Sequence, residues 1–209
     1  MLKDLPQNEE SKFEDFRPLY GPGDVPGYLS AEDLDAIEYI SKLVPSSGIL
    51  VEIGSFLGKS AIEWSKNFSQ LYKDYTIICI DSFNSPVDVL NRLLQEADFV
   101  VPTGVSNNLE MFKHYTTNYK NIFPVTGFFD ERFLFPTMVD VVFEDSDYTM
   151  KHLTHSLPFW WKHINKGGIF VGHNYGGEVQ TAVDIFVALN KLEVKTFKTG
   201  TNIYYIEKP

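Results

Sequence analysis

Glu52, the glycines at 54 and 58, and Asp81 are the residues whose types and spacing most plainly suggest chemistry. They lie in or after "VEIGSFLGKSA", Val51 to Ala61, which at first sight resembles a phosphate-binding loop. Such a loop needs four residues between its first glycine and its Gly-Lys pair, whereas Gly54 and Gly58 enclose three. Ile53 stands where the required glycine would be. Glu52 would also sit beside the polyphosphate, and like charges a few Å apart repel by several kcal/mol at intermediate dielectric. Handling of ATP is therefore the weakest reading, and Lys59 reads as a solvated lysine. The run suits a strand-to-helix turn at which a neutral or cationic ligand approaches the backbone. Glu52 would attract an ammonium or sulfonium group, Gly54 would permit close approach, and Gly58 would allow tight entry into the next helix. Asp81 ends the next apolar run, 27 positions after Gly54. An acid at that place in a doubly wound fold accepts hydrogen bonds from both ribose hydroxyls; the competing reading is a turn cap.

The elements that must position these groups alternate along the chain. Ser30 to Asp33 has N-cap and capping-box spacing, and Leu34, Ile37, Ile40 and Leu43 form an apolar stripe, so a helix is expected up to Pro45. Short β-branched runs follow at Ile49–Ile53, Tyr75–Ile80, Ile122–Val125, Val139–Phe143 and Ile169–Val171. Helical patterns at Ser60–Leu71, Asn107–Tyr119 and Met150–Ile164 separate several of them. Strands spaced by helices predict an α/β fold with a mostly parallel sheet and helices on both faces. After a helix near Glu178–Leu189, Val194–Phe197 and Ile203–Ile206 flank a short glycine-containing loop, which predicts an antiparallel hairpin. Residues 1–27 are polar, acidic and rich in proline and glycine, and read as an irregular arm before a single domain over 28–209. Residues 82–106 are longer than a simple crossover requires and read as an insertion or lid on the acceptor side.

In this order and spacing the motifs resemble the class I S-adenosylmethionine-dependent methyltransferases, with a Rossmann-like, seven-stranded sheet. The likeness is to the small O-methyltransferases grouped with macrocin O-methyltransferase, cephalosporin hydroxylase-like proteins and, more distantly, catechol O-methyltransferase. "LVEIGSFLGKSA" is similar to their first cofactor motif, "IICIDSF" to the ribose-binding strand end, and "VDVVFEDSDY" to the fourth strand. "INKGGIFVGHNY" resembles the strand ending in His-Asp-Tyr, and "VQTAVDIFVAL" with the final hairpin resembles their closing helix and reversed last strand. The resemblance implies that Glu52, Gly54, Ser55, Gly58, Ser60 and Asp81 cradle S-adenosyl-L-methionine. Phe128 and Phe129, after the third strand, would flank adenine, with core packing as the competing reading.

The metal-dependent relatives hold a divalent ion with an acid after the fourth strand and a pair after the fifth, which correspond here to Asp145 and His173-Asn174. This sequence departs from that pattern. Asp-Gly-Asp-His reads Asp145-Ser146-Asp147-Tyr148, and His-Asp-Tyr reads His173-Asn174-Tyr175, with one carboxylate fewer. Magnesium favours several oxygen ligands, so the set is thin for it, and His173 would suit a transition metal better. Without metal, His173 would serve as a general base and Asp145 would face the acceptor. His114, His152, His155 and His163, with Trp160 and Trp161, read as helix surface and sheet packing.

Composition sets the remaining bounds. Eighteen basic against 28 acidic residues, net charge -10, argue against nucleic acid or an anionic membrane as partner. The lone Cys79, in an apolar run, reads as a buried small side chain. The first residues lack a signal-type apolar core, and no stretch approaches the roughly 18 apolar residues of a membrane span, so a cytoplasmic location is expected. The leading expectation is a methyltransferase acting on hydroxyls of a small molecule, a sugar or natural product, with metal assistance and homo-oligomerisation both left open. Its rivals are a non-catalytic cofactor-binding module, for which the carboxylate missing at Asn174 argues, and a hydroxylase on the same scaffold.

Overall fold

The computed structural model describes residues 25–85, 104–129, 133–197 and 200–209. Most of the expected arm and most of the expected insertion lie outside the described residues. Among those described, α1 (Ala31–Leu43) opens the domain with a capping box in which Ser30 and Asp33 bond reciprocally. The chain then runs through β1 (Ser47–Ile53), α2 (Lys59–Gln70), β2 (Asp74–Asp81), α3 (Asn108–Thr116) and β3 (Ile122–Thr126). It continues through β4 (Val139–Glu144), α4 (Met150–His163), β5 (Ile164–Gly172), α5 (Gly177–Asn190), β6 (Lys195–Thr196) and β7 (Tyr204–Glu207).

The seven strands form one sheet in the order β3-β2-β1-β4-β5-β7-β6. β1 pairs parallel with β2 and β4, β2 with β3, and β4 with β5. β7 runs antiparallel to both β5 and β6, which gives the expected hairpin, although its first strand is shortened to Lys195–Thr196. Alternation along the central strands explains how one sheet feeds two cores. Leu50, Ile77, Cys79, Val141, Phe143, Ile169 and Val171 face a layer with Ile37 of α1 and Trp64 and Phe68 of α2. Val51, Ile53, Ile80, Val142 and Phe170 face the opposite layer with Leu157, Trp160, Val183 and Phe186 of α4 and α5. Both faces of the inner strands are buried, so their sequences read as near-continuous apolar runs. Pro124, which cannot donate to a ladder, lies on the edge strand β3. The strand order reverses between β1 and β4, and the carboxyl ends there frame a cavity.

Candidate active site

The cavity holds about 500 Å³, within the range of small-molecule sites. Its floor is the turn after β1, and two of that turn's glycines are fixed by sterics. Gly54 has φ +87°, and a Cβ there would come within 2.7 Å of Ser146 Cα and closer still to the carbonyl of Asp145. The close approach that Gly54 permits is therefore first that of the β4 loop, not only that of a ligand. Gly58 has φ +90° and caps α2; a Cβ would press on Phe112 and Thr116 of α3 at 3.0 Å.

Asp81, at the end of β2, lines the cavity. Its Oδ2 accepts from the Phe56 amide at 2.9 Å and its Oδ1 from the Phe83 amide at 2.9 Å. Both phenylalanines have φ +47°, a left-handed conformation uncommon outside glycine. One carboxylate thus ties the glycine turn to the chain beyond β2. Ser82 Oγ also lies 3.3 Å from Oδ1, but its one proton has a shorter bond to Asn84 Oδ1 at 2.9 Å; with that proton on Asn84, the about four acceptor sites of a carboxylate leave one per oxygen for a diol.

Ser55 and Ser60 line the same cavity. Glu52 lies behind them, fully buried, and is not in the lining. Ser60 Oγ donates to Glu52 Oε1 at 2.9 Å, while Glu52 Oε2 and Ser55 Oγ have no hydrogen-bond partner. Burial, opposed by the nearby Ser55 hydroxyl and by the Ser60 bond, pushes the Glu52 carboxyl up to about 8. The direct attraction of a cation by Glu52 is accordingly corrected: what lies behind the site is a buried acid with one unfilled oxygen, three residues before an unfilled hydroxyl. Orphaned buried polar atoms cost free energy unless something completes them, and of the two Ser55 lines the cavity, where a ligand would do so.

The aromatic pair after β3 divides. Phe128 is 68% exposed at the rim, whereas Phe129 packs among Phe133, Phe159 and Trp160 while still lining the cavity. Two residues assigned to ordinary surface also reach the wall. Lys59 lines it, its aliphatic stem lying where a Cβ on Gly27 would sit. His152, in the first turn of α4, lines it against Phe129, with Nε2 3.2 Å from Glu144 Oε1. Burial pulls the His152 pKa down, but the bond and charge of Glu144 outweigh it and leave the pKa raised. No local sequence signal distinguishes these two; their placement comes from helix packing.

At the ends of β4 and β5 the expected groups meet, but in another arrangement. Asp145 lines the cavity; its Oδ1 accepts from Tyr148 Oη at 2.9 Å and lies 3.0 Å from His173 Nδ1. His173 Nε2 is 3.3 Å from Asp33 Oδ2, and His173 is 3% exposed, outside the cavity lining. Burial pulls the His173 pKa down, but the carboxylates of Asp145 and Asp33 raise it to about 10. The reverse holds at Asp33: burial raises its pKa, and His173 with Thr201 brings it well below the usual carboxylate range. Asp33 also accepts from Thr201 Oγ1 at 2.6 Å and the Asn202 amide at 3.2 Å. Asn174 is left-handed at φ +59°, adjoins Tyr148, and is likewise outside the lining.

This corrects two expectations for His173. A ring that gives both nitrogens to carboxylates has no lone pair with which to take a proton or bind a metal. The set expected to hold a divalent ion does not fit one. Among the described residues, no three acidic, histidine or cysteine side chains converge as metal ligands.

Residues 51–175 match a protein family described as a methyltransferase domain. The chain belongs to this family. It is thus an S-adenosylmethionine-dependent methyltransferase of the Rossmann-like kind. No curated protein sequence matches it significantly. Among solved structures, the fold is similar to the O-methyltransferase NovP, with TM-score 0.63, 19% identity, and coverage of 87% of this chain and 81% of that one. A putative caffeoyl-CoA O-methyltransferase from Staphylococcus aureus gives TM-score 0.60 at 14% identity, over 88% and 86% of the two chains. CalS11, a TDP-rhamnose 3'-O-methyltransferase in calicheamicin biosynthesis, gives TM-score 0.57 at 15% identity, over 86% and 82%. At such identities the likeness carries the fold, with the sheet order and reversed β7 described above. No helix among the described residues is long and apolar enough to cross a membrane.

Proposed function

We propose that this methyltransferase methylates a hydroxyl of a small polar molecule, a sugar or natural product. The observation that carries the reading is one cavity lined by both Asp81, at the end of β2, and Asp145, just after β4. NovP and CalS11 are O-methyltransferases, the second acting on a nucleotide sugar by its description, and that class of acceptor is carried to this chain as part of the proposal.

When bound, S-adenosylmethionine would supply an electrophilic methyl, its C–S bond breaking as the acceptor's O–C bond forms, with S-adenosylhomocysteine as the leaving thioether. The chain's own groups do the rest. Asp81 accepts the two ribose hydroxyls on the acceptor sites its amide bonds leave open. Gly54, Ser55, Gly58 and Ser60 form the floor, with Ser55 Oγ completing its valence on the ligand and Glu52 supporting Ser60 from behind. Phe128 and Phe129 flank the adenine. Asp145 Oδ1 is occupied by Tyr148 and His173, so Oδ2 is the atom that receives the acceptor's proton as the new bond forms. Holding acceptor and methyl in line accounts for most of the remaining acceleration.

The test is transfer of isotope-labelled methyl to a panel of nucleotide sugars, glycosides and phenols, with S-adenosylhomocysteine affinity measured in parallel. Label on a hydroxyl oxygen is the expected result. Tight S-adenosylhomocysteine binding with no transfer across the panel would favour a non-catalytic binding module, and no binding would end the reading altogether.

A further inference from the structure

We propose that this chain works without a divalent cation, because the His173 ring itself, wedged between Asp33 and Asp145, occupies the place between β4 and β5 where a metal would sit. The inference rests on the O-methyltransferase reading for its catalytic meaning, but its structural content stands on contacts alone.

His173 leaves β5 with its ring between two acids, Nδ1 3.0 Å from Asp145 Oδ1 and Nε2 3.3 Å from Asp33 Oδ2. Each ring nitrogen thus faces a carboxylate oxygen, and neither is directed at the cavity. Asp33 and His173 are each 3% exposed. To ligate a metal, the ring would have to abandon one acid and shed a proton, leaving a buried carboxylate without its partner.

The other members of the set are also committed. Asp145 Oδ1 holds Tyr148 as well as His173. Asp147 Oδ1 accepts the Thr149 amide at the start of α4. Asn174 brings no charge. A hard cation wants several oxygen ligands and neutralisation of its charge, and here two partly committed carboxylates, Asp145 and Asp147, are on offer without a third among the described residues.

The ring lies behind the acceptor wall, outside the cavity lining, and reaches that wall only through Asp145. Asp33 extends this linkage, since its second oxygen holds Thr201 and the Asn202 amide in the loop before β7. His173 is therefore a positioning residue, which sets Asp145, and through it Tyr148, from a strut anchored on α1 and the hairpin loop.

The experiment is a manganese titration of the full chain saturated with S-adenosylhomocysteine, read as the loss of the free-ion electron paramagnetic resonance signal. The wild type is expected to show no site tighter than millimolar, whereas His173→Asp, which replaces the ring with a third acid, should bind at least about tenfold more tightly. That gain should vanish when Asp145→Asn is added. Micromolar binding by the wild type that Asp145→Asn removes would overturn the proposal, as would a folded His173→Asp protein with no gain. Wild-type binding that survives Asp145→Asn lies elsewhere and leaves the strand-end site metal-free, as proposed. Should His173→Asp not fold, the wild-type titration and its Asp145→Asn control decide the matter. Failure of S-adenosylhomocysteine to bind would count against the functional reading and not against this one, for which manganese is then titrated alone.

Discussion

At the end of β2, Asp81 is held by two backbone amides and keeps acceptor sites open toward the cavity. At the ends of β4 and β5, Asp145 and His173 are held by other side chains, and the ring has no capacity left. The first arrangement is prepared for a ligand, since backbone donors fix the carboxylate without consuming it. The second is closed on itself: Asp33, His173, Asp145 and Tyr148 satisfy one another, and each depends on the next. Losing a member should therefore be felt as stability at β5 and as affinity at β2.

The largest expected effect is at the closed end. His173→Ala leaves two carboxylates, one of them buried, without their cation and should cost about 3–5 kcal/mol of folding stability, read from urea unfolding. In an Asp33→Asn background the same change should cost less, because the acid it strands has gone. Equal costs in the two backgrounds would mean that the network is not a unit.

Gly54→Ala comes next and joins the two ends. The added Cβ meets Asp145 and Ser146, at a φ of +87°. Overpacking and backbone strain together should cost about 2–3 kcal/mol, lowering the melting temperature by roughly 5–10 °C for a chain of this size. Gly127→Ala is the control, since its Cβ would meet nothing within 4 Å.

Asp81→Ala sharpens the comparison from the open end. Each hydrogen bond to a charged group is worth about 1.5–3 kcal/mol, so S-adenosylhomocysteine affinity should fall at least roughly tenfold by calorimetry. The loss of stability should be smaller than for His173→Ala. A variant with unchanged affinity would remove Asp81 from the cofactor site.

Glu52 gives a pH signature. Its carboxyl is near 4.5 when unfolded and about 8 when folded. Between those values the unfolded chain has lost the proton that the folded one keeps, so stability falls as pH rises through that window. Even one unit of such a shift is worth ~1.4 kcal/mol. Glu52→Gln should flatten the melting temperature between pH 5 and pH 8 (about the window itself), and an unaltered slope would show that Glu52 is ionised in the fold.

The same contrast explains what could be read from the sequence. The open end is local: a glycine turn, the strand before it and an acid one strand later carry their meaning in spacing, and the alternating apolar runs gave the sheet. Asp33 was legible as a capping-box residue, which it is, but its contact with His173 spans 140 positions. No periodicity encodes such a pairing. Lys59 and His152 belong with it, since each reaches the cavity through packing: α2 against Gly27 in one case, α4 against Phe129 in the other. Glu52 shows the limit from the other side, because its position was legible while its burial, and so its proton, was not.

The smallest effect separates two adjacent residues that sequence alone treats alike. Phe128 is 68% exposed and Phe129 packs in the aromatic cluster around Trp160. If Phe128 flanks adenine, Phe128→Ala should cost about 0.5–1.5 kcal/mol of cofactor affinity, the worth of an aromatic stacking contact, with the melting temperature nearly unchanged. Phe129→Ala, which removes a partly buried ring from that cluster, should instead destabilise the fold, by about 1–3 kcal/mol. The ratio of the two effects is the decisive quantity. Were Phe128→Ala to lower stability and spare affinity, the exposed ring would belong to another surface, and of the pair Phe129 alone would be left to flank the adenine.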